Sequence, residues 1–229
     1  RFSRGDGAAR GCYIGAMGLL RLTPAALAVT AVIQDPVTAS YAVNFTFYLI
    51  AGILAFIAAR AYAVREARIL APRPWLTLGV IPLSIIAMLV ATMILVLLTG
   101  PPETAVNQVA AQDLMTSVSP WLIVPLFVVL APFVEEYIYR HLLIGKLSRR
   151  VNIWVCSLLS VLVFSGIHVL GESEFSLAVL VPYLAMGAVL VGVYVWAGNN
   201  FMLSYFVHAA KNLLAVVLTY AVPAELLQQ

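Results

Sequence analysis

Apolar residues along this chain run in long blocks with short polar breaks between them. Seven blocks reach or approach the ~20 residues a helix needs to cross a bilayer. They fall at about 12–33, 41–62, 75–99, 120–144, 151–170, 175–197 and 201–222. The first is the weakest, because Arg21 interrupts it and Pro24 follows. The segment 104–118 (TAVNQVAAQDLMTSV) is too polar to span and reads as an interfacial helix. The pattern predicts an all-α, polytopic membrane bundle of about seven (six to eight) transmembrane helices. It is one integral membrane domain, with residues 1–119 forming N-terminal helices without motif and 120–222 carrying the chemistry.

Composition agrees with this class. Mean hydropathy is +1.00, 63% of residues are hydrophobic and 10% are charged, against about 25% charged in a soluble domain. A chain of 229 residues this poor in charge cannot cover itself for water and has no separate soluble domain. The sequence opens on Arg1 rather than methionine, so a preceding segment is expected, and the chain says nothing of a signal peptide.

The charges then orient the bundle. With the N-terminus inside, the inner loops hold Arg1, Arg4, Arg10, Arg60, Arg65, Arg68, Arg73, Lys146, Arg149 and Arg150, which is 10 of the 13 Lys and Arg residues. The other three, Arg21, Arg140 and Lys211, fall within spans. The outer segments hold Asp35, Glu103, Asp113, Glu172, Glu174 and Glu225. This positive-inside pattern places the chain in the cell (inner or plasma) membrane with a cytoplasmic N-terminus. Its basic loops imply membrane lipids with anionic headgroups as partners, not nucleic acid. Cys12 and Cys156 map near the cytoplasmic side, without metal-type spacing, and a structural disulfide is not expected.

Against that background, seven residues do not belong in lipid: Glu135, Glu136, Arg140, His168, His208, Lys211 and Asn212. Adjacent carboxylates at membrane depth each cost at least ~2.5–3.5 kcal/mol if uncompensated. The spacings pair them. Glu136 and Arg140, Phe164 and His168, and His208 and Asn212 are each four apart, so each pair shares a helix face. Three helices thus present one polar spot each, and such spots in lipid must find each other or water. A carboxylate, two imidazoles and a carboxamide suit hydrolysis: the carboxylate takes a proton from water, an imidazole orients that water, and an imidazole or amide stabilises the oxyanion. Structural readings stand beside these. A single buried His is often a hydrogen-bond donor, Glu136–Arg140 reads first as an ion pair, Asn212 alone as interhelical glue, and Lys211 as a neutralising cation. Their confinement to three helices favours a site.

Taken in order, Glu135-Glu136-Tyr-Ile-Tyr-Arg140 (E-E-x-x-x-R), Phe164-Ser-Gly-Ile-His168 (F-x-x-x-H) and His208-Ala-Ala-Lys-Asn212 (H-x-x-x-N) resemble the CPBP family, the CAAX prenyl endopeptidases and bacterial bacteriocin-processing or Abi proteins. The resemblance covers about 120–222. It implies an intramembrane endopeptidase acting on a peptide or protein substrate, either a CAAX-like C-terminal tail or a peptide under maturation. It also implies roles: Glu135 as general base, His168 holding the water, His208 and Asn212 at the oxyanion, Glu136 and Arg140 as support, with Glu136 a candidate to share the catalytic load. Phe164 belongs to the structural set. Lys211, about 60° off the His208 face, is not in the motif and is placed to modulate Glu135 or to sit at the cavity mouth. The resemblance leaves zinc open as a cofactor, with Glu135, His168 and His208 as the candidate ligands, since a metal-free glutamate mechanism has also been argued for the family.

Depth is the strain in this picture. Counted from Gly145, Glu135 lies roughly 15 Å above the inner loop, whereas His168 lies ~25 Å above Val151. An offset, a tilt, or a kink at Pro132 is required to bring them together. Two other functions compete. One is a non-catalytic scaffold, accessory or immunity subunit that keeps the fold and partners another membrane protein. The other is a proton-coupled transporter, which would be expected to show the repeat symmetry that this sequence lacks.

Overall fold

The computed structural model describes residues 32–100, 105–170, 172 and 176–221. The expected block 12–33, together with Cys12, Arg21, Glu103, Glu174 and Glu225, lies wholly or almost wholly outside the described residues. What is described is an all-α bundle.

The first helix, α1 (Pro36–Leu70), runs past both ends of the predicted 41–62 block. Its start is written locally: Asp35 accepts a hydrogen bond from the Thr38 amide at 2.8 Å and Pro36 opens the first turn, a standard N-terminal signal. The Thr38 hydroxyl and amide hold the Asp35 carboxyl below the usual range. Pro72 and Pro74 end α1 and begin α2 (Pro74–Thr99), which stops at Gly100 with φ +91°. The polar segment forms a short helix, α3 (Val106–Ser117).

The long helix α4 (Pro120–Arg149) carries the carboxylate pair. It is wound unevenly. Widened π-type turns at Pro125–Leu130 and Tyr137–Lys146 flank a regular stretch at Ala131–Glu136, and a tighter turn closes it at Leu147–Arg149. Pro125 and Pro132 withhold amide donors within this run, and π-type turns are often found beside functional sites. Next come α5 (Ile153–His168), capped by Asn152, α6 (Leu177–Trp196), capped by Ser176, and α7 (Phe201–Ala221).

Five of these helices (α1, α2, α4, α6 and α7) are long and apolar enough to cross a membrane, while the 16-residue α5 falls short of that length. The bundle closes through small residues. Gly52, Ala55, Ala59 and Ala63 form a buried stripe along α1, the close-packing device of membrane helices. A methyl group on Gly52 would sit 3.3 Å from Leu130 of α4. Met88 of α2, Tyr139 of α4, Phe164 of α5, Leu190 of α6 and Leu203 of α7 meet in one core cluster.

Charge separates along the bundle axis. The Lys146 ammonium donates to the Tyr62 hydroxyl at 3.0 Å, which brings the basic end of α1 beside the basic α4–α5 turn. At the opposite end the Glu172 carboxylate accepts from the Val106 amide at 2.6 Å. All four tryptophans, Trp75, Trp121, Trp154 and Trp196, sit at helix ends and are 64–87% exposed, as in an interfacial aromatic belt.

Candidate functional site

Helix α4 supplies the anchor of the site. Glu136 is fully buried, and three side chains converge on it. Arg140, one turn on and equally buried, places Nε 3.2 Å from Glu136 Oε2. The Ser204 hydroxyl of α7 donates to the same oxygen. His208 Nδ1, one turn further along α7, lies 3.0 Å from Glu136 Oε1. A carboxylate only accepts, so Nδ1 carries the proton in that contact. A buried charge this well paired is tolerated where a lone one is not.

Arg140 is held from its other side as well. Its guanidinium lies over the Phe164 ring at 4.8 Å and donates through Nη2 to the Gly187 carbonyl at 3.5 Å. Phe164 is thus the face against which the ion pair packs. A Cβ added at Gly187 would stand 3.2 Å from that same ring, so the glycine lets α6 approach α5 closely enough for its carbonyl to reach Arg140.

Glu135 points a different way. Its side chain is 15% exposed where that of Glu136 is fully buried. Tyr48 of α1 donates its hydroxyl to Glu135 Oε1 at 3.1 Å. The other oxygen, Oε2, lies 3.8 Å from His208 Nε2. His208 therefore stands between the two carboxylates, bonded to one and facing the other.

The depth problem resolves through register. The Ser160 hydroxyl donates to the Tyr139 carbonyl at 2.9 Å, and Phe164 packs edge-on against Tyr139 at 5.4 Å. Helices α4 and α5 are antiparallel, so four residues back from Tyr139 to Glu135 match four residues forward on α5. The residues opposite Glu135 are then 164 to 168. Counting from Gly145 misled because α4 continues to Arg149 before the turn. His168 and Glu135 are within electrostatic reach of one another. His168 Nδ1 lies 2.7 Å from the Phe164 carbonyl, which again assigns the proton to Nδ1 and, in the neutral ring, leaves a lone pair on Nε2. The ring is held between Phe164 and Tyr183, at 4.6 and 4.7 Å.

Asn212 reaches the site less directly. One of its two amide hydrogens is committed to the Phe127 carbonyl at 2.9 Å, in a widened turn of α4. The amide group carries a second hydrogen that it can donate. Lys211 is half-buried beside it. All the residues expected from the motifs thus belong to one region, but not as one contact cluster: Glu135, Glu136, Arg140 and His208 touch, while His168, Asn212 and Lys211 surround them.

The metal expectation fares differently. Among the described residues no three His, Cys, Asp or Glu side chains are grouped as a metal ion would require. His208 and His168 each commit Nδ1 to an acceptor, which leaves Nε2 of each ring as the nitrogen that would face a metal. Glu135, His168 and His208 would be the residues to hold a zinc ion, but they are not gathered into a three-ligand cluster in this structure, and no step below is routed through a metal.

Two participants carried no signal in the sequence. Tyr48 and Ser204 are ordinary residues in an apolar helix, and only their reach across to α4 gives them a role.

Known families bear on this geometry. Residues 117–214 match the model described as type II CAAX prenyl endopeptidase Rce1-like. Over that segment the chain is similar to the CPBP/Abi family. The matched region runs from just before α4 into the middle of α7, and it contains every motif residue. That similarity suggests an intramembrane protease. No curated protein and no solved structure matches the chain. Tyr48 lies outside the matched region, so one bond to the carboxylate pair comes from the half of the chain that the family model does not cover.

Proposed function

We propose that this protein is an intramembrane endopeptidase in which Glu135 activates water. The observation that carries this reading is the division of labour between adjacent carboxylates: Glu136 is sealed and fully bonded, while Glu135 keeps one oxygen facing the partly open space beside His208. A sealed carboxylate positions; a half-exposed one meets water.

In the proposed sequence, Glu135 Oε2 takes a proton from a water that His168 Nε2 orients. The hydroxide adds to the scissile carbonyl carbon. The oxyanion is met by His208, as an imidazolium donating through Nε2, and by the second amide hydrogen of Asn212. Collapse breaks the C–N bond, and Glu135 delivers its proton to the leaving amine. Glu136 acts through His208, orienting the ring much as the buried acid of a catalytic triad does. It is a positioning residue.

The substrate is proposed to be a peptide or C-terminal tail that enters from the membrane. The positive-inside rule supports an inner or plasma membrane location with the basic end towards the cytoplasm, where acidic lipid headgroups would meet it.

A peptide-library cleavage assay in detergent tests this reading. Glu135→Gln is expected to lower turnover by about 10³-fold, within the range for loss of a general base, while the protein still inserts and unfolds at the wild-type temperature. Turnover is expected to persist in chelator. Equal cleavage by wild type and Glu135→Gln would refute the assignment, and loss of turnover in chelator that zinc restores would replace it with a metal mechanism.

A further inference from the structure

The ring proposed to orient the water sits where its own helix gives it least support. His168 is the last residue of α5, and the backbone closes there with a bond from the Val169 amide to the Gly166 carbonyl at 3.2 Å, the tightened last turn common at helix ends. One hydrogen bond, from Nδ1 to the Phe164 carbonyl, ties the ring to that turn. A single bond at one nitrogen leaves the plane of the ring, and so the direction of Nε2, to its neighbours. Phe164 meets the ring at a tilt of 49°, while Tyr183 of α6 stacks on it at 27° and 4.7 Å. That separation lies within the range aromatic pairs favour.

Tyr183 is itself steadied from outside α6. Pro182 precedes it within the helix and withholds the amide that would bond one turn back. The Asn107 side chain, in the first turn of α3, reaches the Tyr183 hydroxyl. The neighbouring Val106 amide is bonded to Glu172, four residues past His168. At its other end α3 packs Leu114 and Met115 into one cluster with Ile123 of α4 and Val216 of α7. The polar helix therefore crosses the acidic end of the bundle. It is tied at one end beside His168 and at the other to α4 and α7, the two helices that carry Glu135 and His208.

We infer that Tyr183 is a positioning residue for His168, and that the interfacial helix α3 holds it in place through Asn107. The stack sets the plane in which Nε2 points at the water, and Asn107 sets the stack. The face of the Tyr183 ring is the working surface, and its hydroxyl is the handle by which α3 holds it. Helix α3 is then part of the hydrolytic machinery rather than a connection between spans. This deepens the hydrolytic reading of the site and rests on it. Because the stack governs the geometry of water attack, its loss falls on kcat more than on KM.

Two measurements on the full chain in detergent test this. In steady-state cleavage of a quenched fluorogenic prenylated peptide, Tyr183→Leu is expected to lower kcat about tenfold with KM little changed, as for one lost aromatic contact. Tyr183→Phe keeps the ring face, so it and Asn107→Leu should each lower kcat only about threefold, as for one neutral hydrogen bond, and combining them should add almost nothing. The second readout is the ring N–H signals of protein carrying isotope-labelled histidine, of which the sequence has three. The His168 Nδ1 proton should exchange with water about tenfold faster in Tyr183→Leu, while that of His208, held by Glu136, keeps its wild-type rate. An unchanged kcat in Tyr183→Leu would overturn the proposal, and so would equal acceleration at both histidines, which marks general loosening. If Tyr183→Leu does not fold, the same comparison on Asn107→Leu decides. Absence of any Glu135-dependent cleavage would instead refute the protease reading, and selective exchange at His168 would still decide whether α3 holds the ring.

Discussion

At the level of single residues, the two carboxylates illustrate how neighbours on a chain acquire different chemistry. Successive helix positions point about 100° apart, so Glu136 turns into the bundle towards Arg140 and Ser204 while Glu135 turns towards Tyr48 and the open side. Tyr48 fixes one oxygen of the proposed base and so selects which oxygen is left for water. Tyr48→Phe is expected to lower kcat about tenfold with KM and unfolding temperature nearly unchanged, an effect in the range for a lost hydrogen bond to a charged group. On a Glu135→Gln background the same change should add almost nothing, and steady-state kinetics of the double mutant checks this. Arg140→Met makes the opposite prediction. Removing one partner of a buried pair costs about 3–5 kcal/mol, so the variant should unfold in detergent well below the wild type, with Glu136→Gln recovering part of the loss.

At the level of elements, close approach between helices sets the geometry of the site. Gly145 is the clearest case: a Cβ there would stand 2.6 Å from the Tyr194 hydroxyl. Gly145→Ala is expected to destabilise the protein by about 1–3 kcal/mol, as overpacking does, and Tyr194→Phe should relieve most of it, a rescue visible in thermal unfolding of the double mutant. Helix α7 is likewise tied at its start. Glu66 Oε2 accepts from the Phe201 amide at 2.8 Å, and Asn200 Oδ1 accepts from the Leu203 amide at 3.0 Å. These bonds fix where α7 begins, and with it the height of Ser204 and His208. The sequence places Glu66 in a basic loop, because residues 63–70 look like a polar connection. Continued helix turned that carboxylate inward as a cap.

At the level of the whole molecule, polarity is distributed along one axis: basic turns and three tryptophans gather at one end, and Asp35, Asp113, Glu172 and Trp121 lie towards the other. If the basic end faces the cytoplasm, a cysteine introduced at Arg149 should react with an impermeant maleimide only after the membrane is opened, and one at Thr116 should react in intact cells. The reverse pattern would invert the topology. The bundle also shows why the motif-free half matters. Helix α1 lines the open side of the site through Tyr48 and packs on α4 through its small-residue stripe. Segment 120–222 is therefore expected to lose both stability and activity when expressed without it, which co-expression of the two halves can test.

Much of this protein was legible in its sequence. Hydropathy blocks, proline and glycine punctuation and the basic loops are local quantities, and they sufficed for an all-α membrane bundle. Charged residues in lipid are costly enough to stand out one by one, so Glu135, Glu136, Arg140, His168 and His208 could be named as a set. Tertiary structure alone decided the rest. The antiparallel register of α4 and α5 set His168 opposite Glu135, a matter of where a helix ends that hydropathy does not resolve. Packing across helices gave roles to Tyr48, Ser204 and Glu66, whose side chains carry no energetic signature until a partner is known. It also separated two adjacent glutamates into a buried, ion-paired residue and a partly exposed one, the proposed base.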